Sequence, residues 1–140
     1  MNHNANAAVS VSYHAGAAAD LSGAECLIVQ RAASAGNKAV VEVADGLDAK
    51  CLGVATKVLY GAVGQTVTVC VFGLCQVLLG ATFTPGTQSG FFKSDANGAA
   101  VPAAAGEAYV GRLLFNETSA ALAAGDKAWA LIMPTNGDGA

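Results

Sequence analysis

Short apolar runs separated by turn residues constrain the fold of this chain more than any other feature. The clearest run, residues 66–71, is dense in β-branched side chains, which favour β-strands. Comparable runs recur about every ten residues and end in turn signals such as Asp45-Gly46 and Asn97-Gly98. This spacing predicts a single all-β domain, either a small barrel or a sandwich.

The individual strands follow from the same pattern. The predicted strands are residues 26–30, 40–43, 52–55, 58–60, 66–71, 74–79, 91–94, 108–115 and 127–133. One short helix at most is indicated, over residues 117–124, with Asn116 as its cap and Gly125 as its stop. The alanine-rich residues 99–106 are interpreted as a link.

The chain begins with a segment of different composition. Residues 1–20 are rich in Ala, Asn, Ser and Gly and include the alternating residues 9–13. Such a segment can add to a sheet edge but cannot form a core alone. We interpret it as an extended N-terminal arm, with a disordered terminus as the alternative. Residues 21–134 then form the β domain, and residues 135–140 form a flexible tail.

The four cysteines are interpreted as structural thiols. If Phe72 and Gly73 form a tight hairpin turn, Cys70 lies opposite Cys75. In a reducing cell the two would be small core residues, and a cross-strand disulfide formed after lysis is the alternative. No CxxC spacing is present, and both histidines lie in the N-terminal segment, so we expect neither a zinc site nor another cofactor.

Charge and hydropathy exclude several kinds of partner. The net charge is −3 and the seven basic residues are scattered singly, which argues against nucleic acid. No apolar segment reaches about 18 residues, so no membrane span is expected. The first residues lack a basic region before an apolar run, which predicts a protein made and kept in the cytoplasm. Only 12% of the residues are charged, as is common for surfaces that partner subunits cover.

Catalytic motifs are absent from the sequence. There is no GxSxG, GxGxxG or P-loop, and no carboxylate pair shares an obvious face. Asp45 and Asp48 in one loop are better interpreted as solvated turn residues than as a weak calcium site. We therefore expect a protein that is not an enzyme.

The aromatic residues suggest where the chain meets a neighbour. Trp129 lies in an alternating strand and is predicted to be a core residue. Phe91 and Phe92 are adjacent, so in a strand they must point to opposite faces, and one of them should leave the core. That residue would either cover a neighbouring subunit or join a second local cluster. The predicted interface residues, including those of the arm, are Val9, Val11, Tyr13, Phe91 and Phe92.

The order of these signals resembles a known family. The segments that carry the resemblance are residues 19–23, 52–55, 61–69, Gly73, 94–98, 110–114 and 133–134. Over residues 9–134 they resemble the capsid decoration (cement) proteins of tailed bacteriophages, of the DUF2190 type. The chain departs from the usual form of that family in residues 99–106 and in its four cysteines.

The resemblance implies a structural function. It implies a β-barrel or β-tulip module that binds the major capsid protein on the outer surface of the virion and stabilises the shell. It also implies a homotrimer at three-fold positions, and we hypothesise that residues 1–20 tether neighbouring subunits. A receptor- or glycan-binding module of a phage fibre or cell surface is the alternative, although few aromatic residues are expected to be exposed for sugar stacking. A scaffolding or protease-linked head factor is a further alternative, disfavoured because long helices and catalytic groups are not indicated.

Overall fold

The computed structural model describes residues 10–18, 20–32, 40–46, 51–58, 66–115 and 119–135. These residues form nine strands and no helix, which confirms the all-β prediction. In chain order the strands are β1 Ser10–Ala17, β2 Ile28–Arg31, β3 Val40–Val43, β4 Cys51–Val58, β5 Thr66–Leu78, β6 Phe91–Ser94, β7 Ala100–Pro102, β8 Gly111–Leu113 and β9 Lys127–Ile132.

Five strands close into a small barrel in the order β1-β3-β2-β4-β5, with β1 pairing back onto β5. The closing strand β1 is antiparallel to β5 and parallel to β3. A five-stranded barrel has a narrow interior, so mainly small side chains fit inside it. The sequence supplies them, because the interior cluster contains Ala15, Ala17, Leu21, Ala24, Val29, Val41, Ala55, Val67 and Val69.

Part of the predicted arm belongs to this barrel. Residues 10–17 form β1, whose backbone pairs with β5 from Ser10↔Gly73 to Gly16↔Thr66. Ala15 and Ala17 are buried in the barrel interior. The described part of the segment therefore pairs within its own chain. Residues 1–9 and 136–140 lie outside the described residues, so tethering by the first nine residues stays a prediction.

A second sheet continues from the same long strand. The C-terminal half of β5 pairs with β9, followed by β8, β6 and β7. A bridge between Leu79 and Ala100 links β7 back to the end of β5, so this sheet curls on itself. Its inner face packs against the outside of the barrel in one cluster, which contains Ile28, Val54, Cys70, Val77, Phe83, Phe92, Leu113, Ala130 and Ile132 among others.

The predicted hairpin at Phe72 and Gly73 is wrong. β5 runs through both residues as one strand of 13 residues. Gly73 has a φ of 114°, which bends the strand without reversing it. The two halves then find different partners: Cys70 pairs with Val54 of β4, and Cys75 pairs with Ala130 of β9. Local sequence cannot show this, because β9 lies some fifty residues further along the chain.

The predicted helix and link are also wrong where the structure describes them. Leu122, in the middle of the expected helix, exchanges two backbone hydrogen bonds of 2.9 Å with Phe83 and packs against the core. This tertiary pairing overrides a weak helical propensity. Residues 116–118, at the expected start of the helix, lie outside the described residues. The predicted link contains β7, which was missed because alanine and proline are both uncommon in strands.

The turn at residues 95–98 joins the second sheet to the barrel. One carboxylate oxygen of Asp95 accepts hydrogen bonds from the backbone N–H groups of Asn97 (2.8 Å) and Ala99 (2.9 Å). The carbonyl of Gly98 then accepts a bond of 2.7 Å from the N–H of Ile28, at the start of β2. The Asp95 side chain thus fixes the turn in the shape that contacts the barrel.

Replacing Asp95 with alanine is expected to lower the free energy of unfolding by about 2 kcal/mol, because two backbone donors lose a charged acceptor. Asp95→Asn is the matched control, since it keeps one oxygen acceptor and should lose about half as much. Urea unfolding measures both values. An alanine variant as stable as the original chain would show that the turn holds its shape without this side chain.

Candidate interaction surface

The outer face of the second sheet carries apolar side chains that the fold leaves uncovered. The register places Leu74, Leu131, Arg112 and Phe91 in one row across β5, β9, β8 and β6. Trp129 lies in the next row, directly opposite Gln76. Residues that face each other across a sheet share a face, so these side chains form one surface. We call it the outer sheet face and include Leu114, whose N–H donates to the Trp129 carbonyl.

Trp129 dominates this face. Its side chain is 56% exposed and that of Leu114 is 53% exposed. The prediction that Trp129 is a core residue is therefore wrong. Along β9 the inward positions are Ala128, Ala130 and Ile132, and the alanines leave room in the core for the large rings of other strands. The alternation of side chains along β9 predicts two faces but does not show which of them is buried. The large apolar ring of Trp129 favoured burial, and the structure places this ring on the exposed face.

Phe91 and Phe92 point to opposite faces, as their positions in a strand require. Phe92 has no exposed surface and lies in the core, so it is not accessible to a partner. Phe91 is half-buried on the outer sheet face. Its ring centroid lies 4.7 Å from that of Tyr109, and the Arg112 guanidinium lies 5.8 Å from the Phe91 centroid. Phe91 thus belongs to a local cluster and borders the exposed surface as well.

Two other predicted interface residues, Val11 and Tyr13, belong to the barrel and not to the second sheet. Val11 and Tyr13 lie in β1, where their backbones pair with Phe72 and Val69 of β5. Val9 lies outside the described residues. Sequence reasoning missed Trp129, Leu114 and Arg112, because only the pairing of β5, β9 and β8 shows that they lie together.

The charges on the outer sheet face are mainly positive. Arg112 and Lys127 are exposed there. At the rim, the Lys93 Nζ lies 2.7 Å from the Glu107 Oε1, and the other Glu107 oxygen accepts a bond of 2.7 Å from the Ala104 N–H. The hydrogen bond from Lys93 and the backbone bond lower the pKa of Glu107. The face thus combines apolar and aromatic side chains with two exposed cations, Arg112 and Lys127.

The described part of the chain contains no cluster of three or more His, Cys, Asp or Glu residues that could hold a metal ion. None of its elements is a helix long and apolar enough to cross a membrane. Asp48, one of the two acids considered for calcium, lies outside the described ranges.

Comparison with known proteins shows a likeness in fold. No family model matches the chain, and no curated protein is similar to it in sequence. Among solved structures it is similar to the head fiber gp8.5 N base in bacteriophage phi29, with a TM-score of 0.63. The chain has the fold of that fibre base. The match covers 91% of this chain and 95% of the other at 16% identity, so it establishes the fold, and the likeness to DUF2190-type proteins stays an interpretation.

The rim ion pair predicts a pH dependence of stability. Because folding lowers the pKa of Glu107 from its ordinary value of 4.5, the pair stabilises the folded state above that pH. The contribution is lost as the pH falls through the lowered pKa. Unfolding of the original chain and of Glu107→Gln at pH 7 and pH 3 measures the effect. We expect the difference between them to shrink at pH 3, whereas a constant difference would contradict this role of the ionised carboxylate.

Proposed function

We propose that this chain is a structural protein of a tailed-phage head, which binds the outer surface of the assembled shell and stabilises it without enzymatic activity. The observation that carries the proposal is the likeness to a phage head fibre base over nearly the full length of both chains. Fold likeness alone fixes no function, so a surface suited to binding must accompany it.

The outer sheet face supplies such a surface. Interfaces are enriched in tryptophan, tyrosine and arginine, and their strongest contacts come from such residues near the centre of the contact. Trp129 and Arg112 have this chemistry and lie on neighbouring strands. In the proposed arrangement the outer sheet face contacts the major capsid protein, and Lys127 and Arg112 lie opposite carboxylates of the shell.

The proposed assembly is a homotrimer at three-fold positions of the shell. Head-to-tail contacts between identical subunits close into rings, and a ring of three matches the local symmetry of such a position. Three linked contacts bind more tightly than one, because the second and third form at high effective concentration. No cofactor, nucleic acid or membrane takes part in this arrangement.

Co-sedimentation tests the proposal. The purified chain is mixed with expanded capsid shells assembled from the major capsid protein of the same genome, and light scattering gives the mass of the free protein. We expect saturable binding to shells, and a trimer either in solution or on the shell. A chain that stays in the supernatant at every concentration would overturn the proposal.

Glycan or receptor binding is a second candidate function, and the exposure of Trp129 favours it. A half-exposed indole beside Gln76 and Arg112 offers a stacking plane with polar groups at its edge. The expectation that few aromatic residues would be exposed therefore does not count against this function. The two candidates differ in the ligand: a sugar-binding module binds an isolated glycan on an array, whereas a shell-binding protein requires the assembled lattice.

A further inference from the structure

Two buried cysteines meet at the bend of β5. Cys70 and Cys75 both lie in the core cluster between the barrel and the second sheet. Five residues of a straight strand would separate them by about 16 Å. The two thiols nevertheless interact across the bend, because both side chains are buried in this one cluster. The Cys70 Sγ also lies 3.7 Å from the carbonyl oxygen of Phe72, within the bend itself.

The bend at Gly73 produces this contact. On one side of it, Cys70 is held by its pairing with Val54 of β4, and on the other, Cys75 is held by its pairing with Ala130 of β9. Both side chains therefore face the same core from the two arms of one bent strand. The predicted hairpin would have placed the two cysteines on facing strands. The bent strand has a different geometry but brings the same two cysteines together.

We propose that Cys70 and Cys75 form an intrachain disulfide once the protein leaves a reducing cytoplasm, and that this bond locks the bend between the barrel and the second sheet. The oxidant is a small-molecule disulfide such as oxidised glutathione. The thiolate of one cysteine attacks the oxidant and releases one glutathione thiolate. The second cysteine then attacks the mixed disulfide and releases the other, so two protein thiols are oxidised and one disulfide is reduced to two thiols.

The interaction between the two thiols changes how each of them ionises. Their interaction lowers the pKa of Cys70 and raises that of Cys75. Whichever of the two thiols ionises attacks the oxidant, and the other is the resolving thiol. Both are buried, so the reaction requires local opening of the bend, and its rate is expected to be slow.

Thiol counting in a variant that keeps only this pair tests the proposal. The Cys26→Ser/Cys51→Ser variant, which leaves two of the four cysteines, is incubated with oxidised glutathione. It is then unfolded in denaturant without reductant and alkylated, so that burial cannot protect a free thiol. We expect both remaining thiols to resist alkylation, a monomeric mass lower by two hydrogens, and a peptide linkage between Cys70 and Cys75. The closed loop of six residues should raise Tm by about 6 °C, reversibly with reductant.

Three results would overturn the proposal. Two thiols that remain alkylatable after long incubation would overturn the proposal, as would disulfides between molecules. In the original chain, a bond from Cys75 to the nearby Cys26 instead of Cys70 would also overturn it. None of these readings involves capsid shells, so the inference stands or falls independently of the proposed function.

Discussion

Replacing Phe92 with alanine is expected to lower the free energy of unfolding by about 3–5 kcal/mol. Phe92 is one of the largest fully buried side chains and lies in the core between the barrel and the second sheet. Truncation removes the apolar contacts of the ring and leaves a cavity that the surrounding strands cannot fill. Because domains of this size are stable by about 5–15 kcal/mol, a large part of the total would be lost.

Phe91→Ala is the matched control, since it makes the same chemical change one residue away. Phe91 is half-buried and contacts Tyr109 and Arg112 on the outer sheet face. Its loss should cost about 1–2 kcal/mol, because the ring contacts are few and solvent-exposed. Urea unfolding of both variants measures the difference. A Phe91 variant as unstable as the Phe92 variant would contradict the assignment of the two faces.

Replacing Trp129 with alanine is expected to weaken binding to capsid shells about 30-fold, the effect typical of a central interface residue. The folded state should tolerate the change, because more than half of the side chain is already exposed and the neighbouring alanines fill the core side of β9. Co-sedimentation across a range of protein concentrations gives the affinity, and unfolding measurements confirm that the variant remains folded.

Phe72→Ala provides the control for this experiment. Phe72 is 57% exposed, much like Trp129, but it lies on the barrel half of β5, where it pairs with Val11. We expect this variant to bind shells as the original chain does. If Phe72→Ala lost binding and Trp129→Ala kept it, the barrel would be the contact surface. If both variants bound normally, neither exposed ring would contribute to the contact.

Much of the strand content follows from the sequence, because alternation and β-branched residues act locally. β3 and β6 have the predicted bounds, and β9 ends one residue earlier than predicted. The strand order does not follow from the sequence. The parallel pairing of β1 with β3 and the bend of β5 towards β9 depend on contacts between distant residues. The chemistry of glycine allows a turn at Gly73, but it equally allows the bend that the structure has.

The candidate surface was predictable only in part. Two adjacent phenylalanines in a strand point to opposite faces, so one of them must lie outside the core. In the structure this residue is Phe91. The position of Trp129 could not be inferred, because β9 carries apolar residues on both faces and only packing decides which set is buried. Gly53 illustrates the same limit: a β-carbon there would overlap the carbonyl oxygen of Cys70 on β5, a constraint that appears only once the strands are paired.

A cryo-electron microscopy reconstruction of capsid shells saturated with the protein tests the central claim most directly. The account predicts additional density on the outer surface at three-fold positions, into which three copies fit with the outer sheet face against the shell. Shells that show no additional density at saturating protein concentration would contradict the claim that this chain is a structural protein of the phage head.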